Sequence, residues 1–169
     1  MFAFSIAYGL IFIVENPLKN HLKERKRRNP SHFEPNLYDK YKSTKCTILY
    51  AKKSKTLVIV DVHVLPNSFQ ITVVKNQQLE LYNTFNYQTS EDFIYYLLFV
   101  LNQLNIKNDE TTIRLTGEVD KNSAIYDMLF KYINTIEFCE LPNDLNYSYV
   151  FEQTQKHYHY SLFNLYLCE

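Results

Sequence analysis

Glycine is the scarcest structural resource in this sequence. Two glycines in 169 residues leave little backbone able to wrap a phosphate, and no P-loop, GxSxG or HExxH pattern is present. Nucleophilic and phosphoryl-transfer enzymes therefore lose their usual supports. Tryptophan is absent. Cys46, Cys139 and Cys168 are odd in number, widely spaced and without a CxxC pair. That pattern argues against a disulfide framework or a zinc site and fits reduced cytosolic thiols. No apolar run reaches the roughly 20 residues that a membrane helix needs. Residues 2–14 form the longest candidate, but Ser5 and Gly9 interrupt it, no positive charge precedes it and no small-residue cleavage site follows. The expectation is a cytoplasmic chain with no membrane partner.

What is present describes a folded domain. Apolar residues make up 46% and charged residues 21%, ordinary globular usage, and 169 residues suit one core with an appendage. Tyrosine (15) and phenylalanine (12) are abundant beside frequent Asn, Lys and Ile. An AT-rich coding sequence accounts for that bias better than an aromatic binding platform does. Net charge is zero but unevenly spread, with an excess of +8 over residues 1–55 and of −8 over residues 56–169. The asymmetry suits a basic arm for a polyanion, or two segments that face each other.

Residues 2–14 read as a buried strand bent at Gly9. Asn16 and Pro17 open a helix that runs to about Arg28, with cations in its last turns where the helix dipole favours them. Residues 32–54 read as loop, with one short element at 37–41 and a strand at 47–51. From Thr56 the signal sharpens. Residues 56–65 are β-branched and almost continuously apolar, as a central strand covered on both faces should be. A turn at 65–68 leads to a strand at 69–74, and Asn76-Gln77 leads to another at 79–84. Thr89 or Ser90 caps a helix whose stripe is Phe93, Tyr96, Leu97, Val100, Leu101 and Leu104. Residues 111–115 form a strand, Asp120 opens a helix with Ile125, Leu129 and Tyr132 on one side, 135–140 form a fifth strand, and 153–168 close the chain. Strand-helix-strand crossovers then require a mixed five-stranded sheet of order β-β-β-α-β-α-β-α.

That order is shared by the repeating half of actin-like ATPases and by ribonuclease H. The stretches "LPNSFQITVVKNQQLELYNTFNYQTSEDFIYYLLFVLNQL", "LTGEVDKNSAIYDMLFKYI" and "YHYSLFNLYLCE" resemble a bacterial family, domain of unknown function 3822. The resemblance runs from about Thr56 to the end and is most specific from Asn83 to Tyr96. It implies an actin-like ATPase fold over residues 56–169, with residues 1–55 the basic remnant of a first half. Family members usually extend further at the amino end, which implies that Met1 begins a shortened chain.

In active members of that superfamily, phosphates sit against an Asp-x-Gly turn and a second glycine-rich loop. Asp61, Ser68 and Gly117 are the matching candidates for nucleotide contact. Against them, His63 occupies the glycine place, Pro66 removes an amide from the turn, and Glu118 follows Gly117 with a repelling charge. The expectation is therefore no cofactor, no catalytic residue and no metal. His157 and His159 form a ligand pair only if their segment is a strand, and Asp61 lacks the neighbouring carboxylates of a two-metal nuclease. The leading reading is a non-catalytic scaffold that binds a protein, with a second copy among the candidates. The competing reading is a nucleic-acid-associated protein using Lys19, Lys23, Arg25, Lys26, Arg27 and Arg28 on phosphates. Residual ATP binding is the third.

Overall fold

The computed structural model describes residues 47, 57–108, 111–141, 147–149, 151, 154–161 and 163. The amino-terminal strand, the basic helix and the loop expected before Thr47 lie outside the described residues. Thr47 itself is helical, so the strand expected to begin there is not formed at that residue.

The chain then enters β1 (Val58–Val64), β2 (Ser68–Lys75) and β3 (Gln78–Asn86), passes through α1 (Ser90–Gln103) to β4 (Thr112–Gly117), and through α2 (Ala124–Tyr132) to β5 (Thr135–Phe138). The sheet order is β3-β2-β1-β4-β5. β1, β2 and β3 pair antiparallel, whereas β4 lies parallel to β1 and β5 parallel to β4. Both crossovers step in the same direction across the sheet, so a right-handed connection puts both helices on one face. Their side chains share a single core cluster with Val60, Val62, Phe69, Ile71, Ile113 and Leu115.

Local chemistry explains the elements. The β2–β3 connection places both Asn76 (φ 50°) and Gln77 (φ 65°) in the left-handed region, which a two-residue hairpin matched to the strand twist requires. At α1, Thr89 and Asp92 bond each other's backbone amides in a reciprocal capping box, at 3.1 Å each. The other end of α1 closes on Asn105 at φ 52°, with the Ile106 amide reaching back to the Leu101 carbonyl at 2.8 Å. In a chain poor in glycine, asparagine takes two of the three positive-φ positions that carry a Cβ among the described residues, and Gln77 the third.

Two expectations need correction. α2 starts at Ala124 with Ser123 as its cap, because the Asp120 carboxylate accepts from Tyr158 and Gln155 instead of capping the helix. Tyr132, expected to be inward, is half exposed, and Leu129 alone of the α2 side chains is fully buried. In α1 the stripe is as expected at Phe93, Leu97, Val100 and Leu101, with Ile94 also buried.

Candidate functional site

β1 and β4 run in parallel and end together, which brings the turn after β1 and the loop after β4 side by side. This edge holds candidates that the resemblance implied for nucleotide contact. Gly117 is forced here by contact. At φ 84°, a Cβ on it would lie 2.1 Å from the Val64 carbonyl oxygen, so no side chain fits between the strand ends. That approach lets the Glu118 amide donate to the Val64 carbonyl at 2.8 Å. The Gly117 amide donates to the His157 carbonyl at 3.0 Å, and the Val119 amide to the Gly117 carbonyl at 3.0 Å. Three consecutive amides are thereby bonded within the chain.

His157 completes the closure. Its Nε2 lies 2.7 Å from the Val119 carbonyl, and its ring packs on Phe138 with centroids 4.4 Å apart. Burial lowers its pKa below the usual histidine value, so the ring is held neutral with the proton on Nε2. The segment of His157 and His159 is a turn and not the strand on which the two could act as a ligand pair: His157 is directed onto a carbonyl and His159 stacks edge-on to Phe151.

The turn after β1 is closed in the same manner. In the turn after β1, the Leu65 amide donates to the Ser68 carbonyl at 2.8 Å and Pro66 has no amide to offer. Tyr87 covers it: its hydroxyl donates to the Leu65 carbonyl at 2.6 Å and its amide to the Asn67 carbonyl at 3.1 Å. Ser68 opens β2, half-buried beneath this cover. His63, at the glycine place, has its Nδ1 2.9 Å from the Thr116 hydroxyl on β4.

Asp61 faces away from the helices and is engaged. Its register neighbour across the parallel pair is Arg114. Arg114 Nη1 lies 3.0 Å from Oδ1 and 3.4 Å from Oδ2, and the Thr47 hydroxyl donates to Oδ2 at 2.5 Å. Arg114 Nη2 also donates to Cys139 Sγ at 3.2 Å and to the Tyr160 hydroxyl at 3.1 Å. Burial raises the Asp61 carboxyl above its ordinary value, with Arg114 and Thr47 pulling it back. Burial pulls Arg114 down, but Asp61, Cys139 and Tyr160 together outweigh it and the guanidinium stays charged. The Cys139 thiol is pushed up to about 12 by burial first and the Asp61 charge second, so it is an unreactive thiol. Tyr160 is likewise raised by burial to about 12. Paired with an arginine and bonded by a hydroxyl, this acid ties β1 to β4 and to Thr47.

Sequence reasoning missed Arg114. The available signal was a single cation inside the apolar strand Thr112–Gly117, which needs a buried counter-charge. It also missed a polar groove of about 890 Å³ beside the α2 cap, lined by Asp120, Ser123, Tyr126, Phe138, Glu140 and His157 among others. Among the described residues, no group of three His, Cys, Asp or Glu side chains is placed to hold a metal. Lys19, Lys23, Arg25, Lys26, Arg27 and Arg28 lie outside the described residues.

Residues 7–136 match the family described as protein of unknown function (DUF3822). This chain belongs to that family. The DUF3822 chain is also similar to a solved protein of Bacteroides thetaiotaomicron VPI-5482, described as having an actin-like ATPase fold and unknown function. They share 25% identity with a TM-score of 0.55 over 76% of this chain and 45% of that one, so this chain spans less than half of that protein. None of the curated proteins matches it. The α/β fold is thus of the actin-like ATPase class, with its mixed five-stranded sheet. No described helix is long and apolar enough to cross a membrane.

Proposed function

We propose that this DUF3822 protein is a non-catalytic, cytoplasmic scaffold or protein-interaction domain that keeps an actin-like sheet and takes no nucleotide at the sheet edge. One observation carries the reading: the amides of residues 117, 118 and 119 are each bonded to a carbonyl of the same chain. Phosphate recognition in this kind of loop depends on bare amides that converge on the anion. Here, opening the loop would cost three hydrogen bonds and the contact between β1 and β4. The buried Cys139 thiol, free of any disulfide and bonded by Arg114, supports the cytoplasmic part.

Thermal unfolding with millimolar MgATP tests this directly. A ligand at about 100 times its dissociation constant stabilises by roughly 2.7 kcal/mol, a shift of several degrees. The expected result is an unchanged Tm. A rise with ATP that an equal concentration of magnesium sulfate does not reproduce overturns the reading. The +8 excess of residues 1–55 favours the competing nucleic-acid reading. Micromolar binding of a short RNA at physiological salt, lost when Arg25, Arg27 and Arg28 become Glu, would put that reading in its place.

A further inference from the structure

The two helices on the apolar face are unequal. α1 has 14 residues and buries five of its side chains, whereas α2 has nine residues and fully buries Leu129 alone. α2 leaves two large side chains outward, Phe130 at 68% exposed and, on another side of the helix, Tyr132 at 50% exposed, while Ile125, Tyr126 and Met128 are partly buried against the core. Tyr126 and Phe130, one turn apart, stack with ring centroids 6.3 Å apart. With Asp127 and Lys131 they line a shallow hollow of about 410 Å³ on the outer side of the helix. Tyr126 also stacks on Phe138 of β5, at 5.6 Å, so the patch is fixed to the sheet rather than carried on a loose side chain. Grouped, rigidly held aromatic exposure marks an interaction surface, where scattered apolar residues would not.

We infer that this surface is a twofold contact between two copies of the chain, an inference that rests on the protein-interaction reading above. The charges select the occupant. Asp127 and Lys131 are both exposed and one turn apart, forming a row beside that of Tyr126 and Phe130. A twofold axis perpendicular to α2 near its middle reverses the direction of the second helix. Asp127 of each copy then lies against Lys131 of the other, the aromatic rows meet, and the helix dipoles run antiparallel. The patch is complementary to itself. One acid and one base give it no net charge with which to attract a polyanion or an acidic membrane.

Size sets the strength. A stable interface removes about 800 Å² from each partner, and the two partly exposed aromatic side chains of the patch, at about 150–250 Å² each, fall well short of that. The contact is therefore weak and reversible, populated only as concentration rises.

Sedimentation of the full chain from micromolar to submillimolar concentration reads this out. The expected result is a monomer that passes into a dimer across that range. Asp127→Lys sets lysine against lysine twice in the dimer and should weaken it by at least about tenfold. Phe130→Glu should abolish it. The exchanged double variant, Asp127→Lys with Lys131→Asp, should restore it to within about twofold, because the symmetric contact keeps both pairs with their signs reversed. Circular dichroism melts of these exposed-site variants separate lost association from lost folding. A wild type that stays monomeric throughout, a dimer indifferent to Phe130→Glu, or an exchange that fails to restore association overturns the contact. A monomer showing no ATP shift sinks the contact and leaves the scaffold reading intact, whereas an ATP shift sinks the scaffold reading whatever the sedimentation shows.

Discussion

The two faces of the sheet solve the same burial problem by opposite means. On the helix face, Val60, Val62, Ile71, Phe93 and Leu97 are packed with no polar partner to satisfy, and stability comes from apolar area removed from water. On the other face, Asp61, Arg114, Thr47, Cys139 and Tyr160 form a connected polar cluster, and Arg114 is only 5% exposed. Apolar packing accepts any neighbour of about the right shape. A buried ion pair accepts one partner in one place, and it ties Thr47 and Tyr160, distant in sequence, to the middle of the sheet. The helix face supplies bulk stability, and the polar face specifies which segments lie against it.

Substitutions should separate the two. Removing one side of the ion pair is expected to be among the largest effects, and the one that a second substitution reverses. Arg114→Met leaves Asp61 buried without its counter-charge and should cost about 3–5 kcal/mol in urea unfolding. Adding Asp61→Leu to it should recover much of that loss, since replacing both charges removes the desolvation penalty as well as the attraction. A double variant no more stable than Arg114→Met would mean that the remaining polar partners, and not the pair, hold this face together.

The apolar face should behave additively instead. Phe93→Ala should cost about 3–5 kcal/mol and Leu97→Ala about 2–5 kcal/mol, each without rescue by a second truncation. Phe93 contacts Phe69 at 4.4 Å and Tyr87 at 5.5 Å, so its loss opens a cavity beneath the turn after β1. Unchanged urea midpoints for both variants would show that α1 does not pack as described.

The smallest effect is a pH dependence at the loop that joins the two faces. Burial lowers the pKa of His157, so the unfolded chain binds a proton more readily than the folded one. Its contribution is complete above the unfolded value of about 6.5 and is lost as pH falls below that toward the folded value. Acidification from about pH 7 to pH 5 should therefore lower the Tm of the wild type more than that of His157→Gln. Parallel pH profiles for the two proteins would show that this histidine does not titrate against folding.

Local pattern determined much of this protein before any tertiary contact was known. The β-branched run from Val58 to Val64, the Asn76-Gln77 connection, the capping signal at Thr89 and the 3.6-residue stripe of α1 each act over a few neighbouring residues, and each element formed as that spacing dictates. The mixed sheet followed from the order of those elements and the handedness of crossovers. What the spacing left open were contacts between distant residues. Arg114 reaches Asp61 across 53 positions, and His157 reaches the Val119 carbonyl across 38. Gly117 reads only as a candidate for phosphate contact, opposed by Glu118, and nothing in the sequence tells that the Val64 carbonyl leaves no room there for a Cβ. Periodicity records which side of an element is apolar. It carries no information about which carbonyl or carboxylate will lie opposite a buried donor, and at this sheet edge that partner decides whether a backbone amide is free for a ligand or already bonded within the fold.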